Sequence, residues 1–328
     1  MLTIKKIGSL CLCSLIFIAT TVYSQPLTIR FSYDVEPDTP KGKMAERFKM
    51  LVEQHFKNTI IVELYPDKQL YGDETVLEEM LAGNVELAAP PLTQFKSYSR
   101  RLQLFDLPFL FVNQRAAQRF LSGVYGERLS NTLKNKGFIG LGFLDNGMKQ
   151  LSASKKLYFP SDAAGLKFRI MDSDVLEQQF VQINAIALRK PFSEVFALLE
   201  SQGVDGQENT WSNIYTKKFY QAQPYIIESN HGYLGYMIVS SNEFWGSLSS
   251  SMQSKLKALL DEAIEYGNQV ANQKAGQDRQ AVIDSGVTEV YSLSPDQRQI
   301  WVETMQQVWA KFEDQIGTEL IKAAASQR

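Results

Sequence analysis

Two residues in one stretch have the types and spacing to hold an anion. Gly165 to Tyr215 places Arg169 at the end of the apolar segment Leu166–Ile170 and Asn209 after the next helical segment, in Asp205-Gly-Gln-Glu-Asn209. In an α/β sheet, groups just beyond strand ends open into one crevice, which is where such sheets bind small polar molecules. A guanidinium offers two parallel donors to a carboxylate and an amide offers a third. Taken alone, these residues fit a structural ion pair at a strand end and a self-bonded turn equally well. Other chemistry has less to work with. The two histidines, His55 and His231, are far apart and read as a helix-surface residue and a hydrogen-bonded loop residue before a strand. They make no metal cluster. Glu194 and Asp205 read as helix-face and turn acids, not as a catalytic pair. No glycine-rich phosphate loop and no G-x-S-x-G elbow occurs; Pro40-Lys41-Gly42-Lys43 lacks the required spacing. Capture of a small solute therefore fits better than catalysis, and no cofactor is implied.

The elements that must position these groups read as α/β. Leu27–Ser32 is a strand; Thr39 and Pro40 cap and start a helix through Met44, Phe48 and Val52. Ile60–Tyr65 is a second strand. Asp73 is placed to cap a helix through Val76 and Met80, and Val85–Ala89 is a third strand. This β-α-β-α-β opening predicts a parallel sheet with crossover helices. Short helices near 116–120 and 127–134 lead to a strand at Ile139–Leu144, and Asp145-Asn-Gly147 reads as a turn. The chain crosses to a second lobe near Asn146–Ser154. That lobe has strands at Leu166–Ile170 and Ala185–Leu188, a helix from about Pro191, and a turn at Asp205–Asn209. The apolar segment Tyr233–Ser240 returns. A long helix spans about Ser249–Asp278, and Ser294-Pro295 starts a last helix lined by Trp301, Met305, Trp309 and Phe312.

The 328 residues suffice for two lobes, and 44% hydrophobic with 21% charged residues is a globular composition. The net charge of −2 gives no basic excess for nucleic acid. Lys5 and Lys6 precede an apolar run from Ser9 to Ala19, shorter than the roughly 20 residues of a membrane span, followed by Val22-Tyr-Ser24. This predicts a leader peptide over 1–24, cleaved near Ser24. Its removal takes the charge from −2 to −4 and carries away both cysteines, Cys11 and Cys13. The exported chain then has no disulfide and no cysteine nucleophile.

An ordered series of motifs resembles one family. Asp38-Thr-Pro-Lys-Gly42, Gln69-Leu-Tyr-Gly-Asp73, Phe105-Asp-Leu-Pro-Phe109, Asp145-Asn-Gly147, Gly165-Leu-Lys-Phe-Arg-Ile170, Asp205-Gly-Gln-Glu-Asn209, Ser212-Asn-Ile-Tyr215 and Ser229-Asn-His-Gly-Tyr-Leu-Gly-Tyr236 cover most of the chain. They resemble the DctP-type solute-binding proteins of tripartite ATP-independent periplasmic (TRAP) transporters, and most of all the branch that binds C4-dicarboxylates such as succinate, fumarate and malate. The resemblance implies a two-lobed, type II-like periplasmic binding protein with hinge strands and a long helix spanning both lobes. It places lobe I at 25–148, completed by about 237–250, lobe II at 149–236, completed by C-terminal helices, and the spanning and last helices at 251–328. It implies a periplasmic location and delivery of an organic acid to a permease of small and large subunits. Arg169 matches the family's carboxylate-binding arginine, and Asn209 an amide donor to the same group. For the far end of a dicarboxylate, Lys41 leads, with Thr93, Gln94 and Lys149 as further donors and Phe192 and Trp211 as cleft walls. Pro90-Pro-Leu-Thr-Gln94 lacks the charge that family members for larger acids carry after the third strand, which suits a small ligand. Another small acid, a monocarboxylate or keto acid, fits as well, as does a ligand-sensing partner of a membrane receptor.

Overall fold

The computed structural model describes residues 25–57 and 59–327; the predicted leader lies outside them. Among the described residues, nine strands form one mixed sheet in the order β2-β1-β3-β8-β4-β7-β5-β6, with β9 on the far side of β8. The first strands and helices are β1 (Leu27–Ser32), α1 (Pro40–Phe56), β2 (Ile60–Tyr65), α2 (Val76–Leu81) and β3 (Leu87–Ala88). After α3 (Gln114–Ser122) and α4 (Val124–Asn131) comes β4 (Phe138–Ala153). The second lobe holds β5 (Lys167–Ile170), α5 (Asp174–Gln182), β6 (Ile186–Arg189), α6 (Val195–Glu200), β7 (Gly206–Thr210) and α7 (Trp211–Thr216). The chain returns through β8 (Tyr225–Ser241), α8 (Asn242–Ser247), α9 (Ser250–Asp284) and β9 (Glu289–Tyr291), and ends in α10 (Pro295–Gln306), α11 (Glu313–Ile316) and α12 (Thr318–Ala325).

β4 and β8 tie the lobes together. Their outer ends pair antiparallel at Phe138↔Ser241 beside β3, and their other ends at Ala153↔Tyr225 beside β7 and β9. Three register shifts interrupt this ladder, between Gly140 and Gly142, Asp145 and Gly147, and Lys149 and Leu151. Bulges of this kind bend and twist a strand pair. The expected turn at Asp145-Asn-Gly147 is the middle one. Gly147, at φ +107°, takes the left-handed step, and the Asp145 carboxylate accepts its N–H at 3.1 Å. Gln114 and Gln118 also donate to that carboxylate. The chain therefore kinks inside a strand and does not reverse.

Two further readings change. Asp205–Asn209 is not a turn; Gly206–Thr210 is a fully buried strand between β4 and β5. Polar side chains made it look like a loop, but they face buried polar partners. Ser229-Asn-His-Gly232 is likewise not a loop but part of β8. The long helix is longer than expected, with 35 residues or about 52 Å. Ser249 caps it, accepting the Met252 N–H at 3.2 Å. Leu256, Leu260 and Ala263 pack with Phe31, Phe48 and Leu144 of the first lobe, while Val282 packs with Val195, Trp211 and Ile226 of the second. The C-terminal helices serve both lobes: Trp301 and Met305 join the core around Phe168 and Phe180, whereas Phe312, Ile316 and Ile321 join Phe105, Phe111 and Phe120. No helix among the described residues is long and apolar enough to cross a membrane.

Candidate functional site

A cavity lies between the lobes. It is lined by Asp34, Val35, Asp73, Glu74, Pro91, Gln94, Leu234 and Tyr236 on one side, and by Lys149, Arg169, Met171, Phe192, Glu208, Asn209 and Asn213 on the other. Its empty space, solvent at the mouth included, is about 430 Å³.

Arg169 stands at the core of this space. β5 is an inner strand, paired in parallel with both β6 and β7, and its Phe168 and Ile170 are fully buried. Arg169 is itself only 3% exposed. Its Nε donates to the Lys190 carbonyl at 2.9 Å, which fixes the plane of the guanidinium. Neither terminal nitrogen has a hydrogen-bonding partner among the described residues. Burial pulls this guanidinium down from 12.5 to about 10, against the raising influence of Glu208, Asp34, Glu74 and Asp73. It is a desolvated cation, still fully charged at neutral pH, with its donor fork unspent. The Phe192 ring lies 6.0 Å from it.

Asn209 is held by a ladder of amides. Its Oδ1 accepts from Asn213 Nδ2 at 2.7 Å and from the Thr210 N–H at 3.1 Å. Asn213 Oδ1 accepts in turn from Asn146 Nδ2 at 3.3 Å, which also donates to Thr210 Oγ1 at 2.9 Å. With its oxygen committed, Asn209 has only its NH₂ to offer. The sequence reading missed Asn213 and Asn146 as supports, although both lie in the quoted motifs.

A second ionic group stands behind. Lys149 Nζ donates to Glu208 Oε1 at 2.6 Å, and both side chains are buried. Glu208 Oε2 accepts from His231 Nε2 at 2.8 Å, and His231 Nδ1 bonds Ser229 Oγ at 2.8 Å. Burial alone would raise the Glu208 carboxyl. Lys149 and the His231 hydrogen bond outweigh it and hold it at about 2. Burial keeps His231 below its ordinary value, so the ring is neutral and donates to Glu208. Gly232 makes room for this arrangement, because a Cβ there would sit 2.5 Å from Lys149 Cε. Of Lys149's three donors, one goes to Glu208.

The remaining predicted residues divide. Gln94 and Phe192 line the cavity. Lys41 does not: it is fully buried in the first turn of α1, with Nζ 3.3 Å from Asp34 Oδ1 and 3.7 Å from the centre of the Tyr236 ring. It compensates Asp34 from behind. Thr93 is also off the cavity; its hydroxyl donates to Asp106 at 2.8 Å, and Asp106 accepts from Ser173 at 2.8 Å. Trp211 is packed in the second lobe's core with Val195, Phe219 and Val282. Its place at the start of α7, one step past the polar strand, made it look like a wall. Asp73 lines the cavity and is not a helix cap, since α2 begins at Val76 after Thr75. Arg189 pairs with Asp172 at 2.7 Å and Asp174 at 2.9 Å, and also with Glu177. His55 and Glu194 are exposed, and Asp205 accepts the Lys167 N–H at 2.8 Å.

Ion pairs also join the lobes around the cavity. Lys217, after α7, reaches Glu36 at 2.8 Å and Asp67 at 2.6 Å. Lys96 reaches Asp172 at 2.6 Å. Two α/β lobes on shared hinge strands, closed over a buried arginine, define the class: a solute-binding protein.

The comparisons narrow the class. Residues 31–315 match the family described as bacterial extracellular solute-binding protein, family 7 (DctP), and the chain belongs to it. It is 52% identical over 304 residues to the C4-dicarboxylate-binding periplasmic protein DctP of Shewanella loihica, covering 93% of this chain and 90% of that one. The protein of the same name in Vibrio cholerae is 40% identical, with 91% and 90% covered. A crystal structure of a TRAP periplasmic solute-binding protein from Shewanella oneidensis with bound succinate superposes with a TM-score of 0.91 at 49% identity, covering 92% of this chain and 99% of that one. One from Pseudomonas aeruginosa with bound L-malate gives 0.85 at 38% identity, covering 87% and 100%. The chain is thus a TRAP transporter binding component and not an enzyme.

Proposed function

We propose that this protein captures C4-dicarboxylates, succinate and malate among them, outside the cytoplasm and hands them to a two-subunit TRAP permease. The observation that carries the reading is the buried Arg169, whose two terminal nitrogens have no protein partner among the described residues and which lines the interlobe cavity. One ligand carboxylate takes this fork side-on and the Asn209 amide as a third donor. Lys149, through the donors Glu208 does not use, and Gln94 from the facing lobe serve the rest of the ligand. Contacts from both lobes exist together only when the cleft is shut, so the ligand stabilises the closed form. Export by the leader at 1–24 brings the protein to the compartment where its relatives are named as periplasmic.

A thermal-shift panel tests this. Binding to the folded state alone raises the melting temperature in proportion to RT ln(1 + [L]/Kd). Succinate and malate are expected to stabilise the protein, with monocarboxylates of similar size far weaker. A panel in which only monocarboxylates or keto acids stabilise it contradicts the dicarboxylate reading.

A further inference from the structure

The wall opposite Arg169 is acidic. Asp34, Asp73 and Glu74 line it, an odd surface for a dianion to approach. Asp34 and Asp73 are buried, at 6% and 8% exposure, and line the same cavity, yet among the described residues only Asp34 has a cation paired with it. Two acids buried in one wall with a single paired lysine do not both stay ionised, because an uncompensated buried carboxylate takes up a proton. Lys41 Nζ lies 3.3 Å from Asp34 and Lys217 also acts on Asp34, so the negative charge rests there and the proton on Asp73. Burial and the neighbouring Asp34 both raise Asp73, Glu74 adds to this, and Lys41 opposes it. Arg169 and Tyr236 are the other titratable groups that feel the pair.

Resting on the dicarboxylate reading, we infer that Asp73 enters the closed complex as a neutral acid and offers its O–H to the far end of the ligand, so that capture takes up one proton from water. The proton removes a like charge from the ligand's path and supplies the donor that Lys41, committed to Asp34, does not. Opening the cleft would expose Asp73 to water, where a carboxyl is ionised at neutral pH. Closure buries it, so the group binds protons more tightly in the complex, and affinity falls as pH rises. Asp34 keeps its charge throughout because Lys41 and Lys217 compensate it. The cavity thereby accepts a dianion without a second unpaired cation.

Calorimetric titration with succinate in buffers of different ionisation heat, near pH 6.5 and pH 7.5, counts protons directly. The wild type is expected to take up about one proton more than Asp73→Asn, and its Kd to rise by up to about tenfold per pH unit. The Kd of Asp73→Asn is expected to lose that pH dependence. Asp73→Ser, which also removes the titrating carboxyl, is expected to lose the extra proton as well, and stands in should Asp73→Asn fail to fold. Equal proton counts in the wild type and either folded variant overturn the inference while leaving the ligand assignment intact. A wild type that gives no heat with succinate refutes the ligand assignment, and this inference with it.

Discussion

Replacing Arg169 by methionine separates binding from folding. The substitution removes the cation and keeps an apolar stem beside Phe192. In the ligand-free protein, burial lowers the guanidinium from 12.5 to about 10. At about 1.36 kcal/mol per tenfold change, this is roughly 3 kcal/mol by which the fold disfavours the charged side chain. Against that stands a single protein hydrogen bond, to Lys190, worth about 1.5–3 kcal/mol for a charged donor. The two nearly cancel, so Arg169→Met is expected to melt at or slightly above the wild-type temperature without ligand. Binding behaves otherwise. Removing one partner of a buried charge pair costs about 2–5 kcal/mol, so the Kd for succinate is expected to rise from about thirtyfold to several thousandfold. Titration calorimetry reads the affinity, and thermal unfolding without ligand reads the stability. A folded variant with Kd within about threefold of wild type would refute the reasoning, because the fork would then not hold the carboxylate.

Further expectations follow from the same geometry. Glu208→Gln strands the buried Lys149 ammonium and is expected to cost about 3–5 kcal/mol of stability by urea titration. The Glu208 carboxyl is held at about 2 in the fold against an ordinary 4.5, so its stabilising contribution is complete above about pH 4.5 and lost as pH falls towards 2. Glu208→Gln should therefore show a flatter acid-unfolding curve across that window. Trp211→Ala is expected to cost about 3–5 kcal/mol of stability, while its folded fraction binds succinate with near wild-type affinity, since Trp211 lies in the core. Lys217→Ala breaks the bridges to Glu36 and Asp67 across the closed lobes; partly exposed pairs contribute about 0.2–1 kcal/mol each, so stopped-flow measurements should show ligand release a few times faster, with the gap narrowing at high salt.

Much of the fold was legible because local pattern and tertiary role agree. The strand at Leu27–Ser32 alternates, Thr39-Pro40 starts α1 as capping chemistry dictates, and the spanning helix announces itself by period. The misreadings share a cause. Asp145-Asn-Gly147, Asp205–Asn209 and Ser229–Gly232 carry turn-type residues inside buried strands. Polar groups in strand interiors belong to the site and to its supports, and there local propensity yields to function. Arg169 was read at a strand end and Asn209 in a turn after the next helix; both line the cavity, although Asn209 reaches it from a strand. The far wall was not. Lys41 was named for its charge, but only three-dimensional packing reveals that Asp34 claims it, and Asp34 and Asp73, 39 positions apart, come to one cavity with no local signature.

A crystal structure of the complex with succinate tests the central claim most directly. The account predicts one ligand in the interlobe cavity, one carboxylate side-on to the two terminal nitrogens of Arg169 with Asn209 Nδ2 as the third donor, and the other end towards Asp73 and Gln94. A succinate bound elsewhere, or one in the cavity whose carboxylates leave Arg169 without a contact, contradicts it.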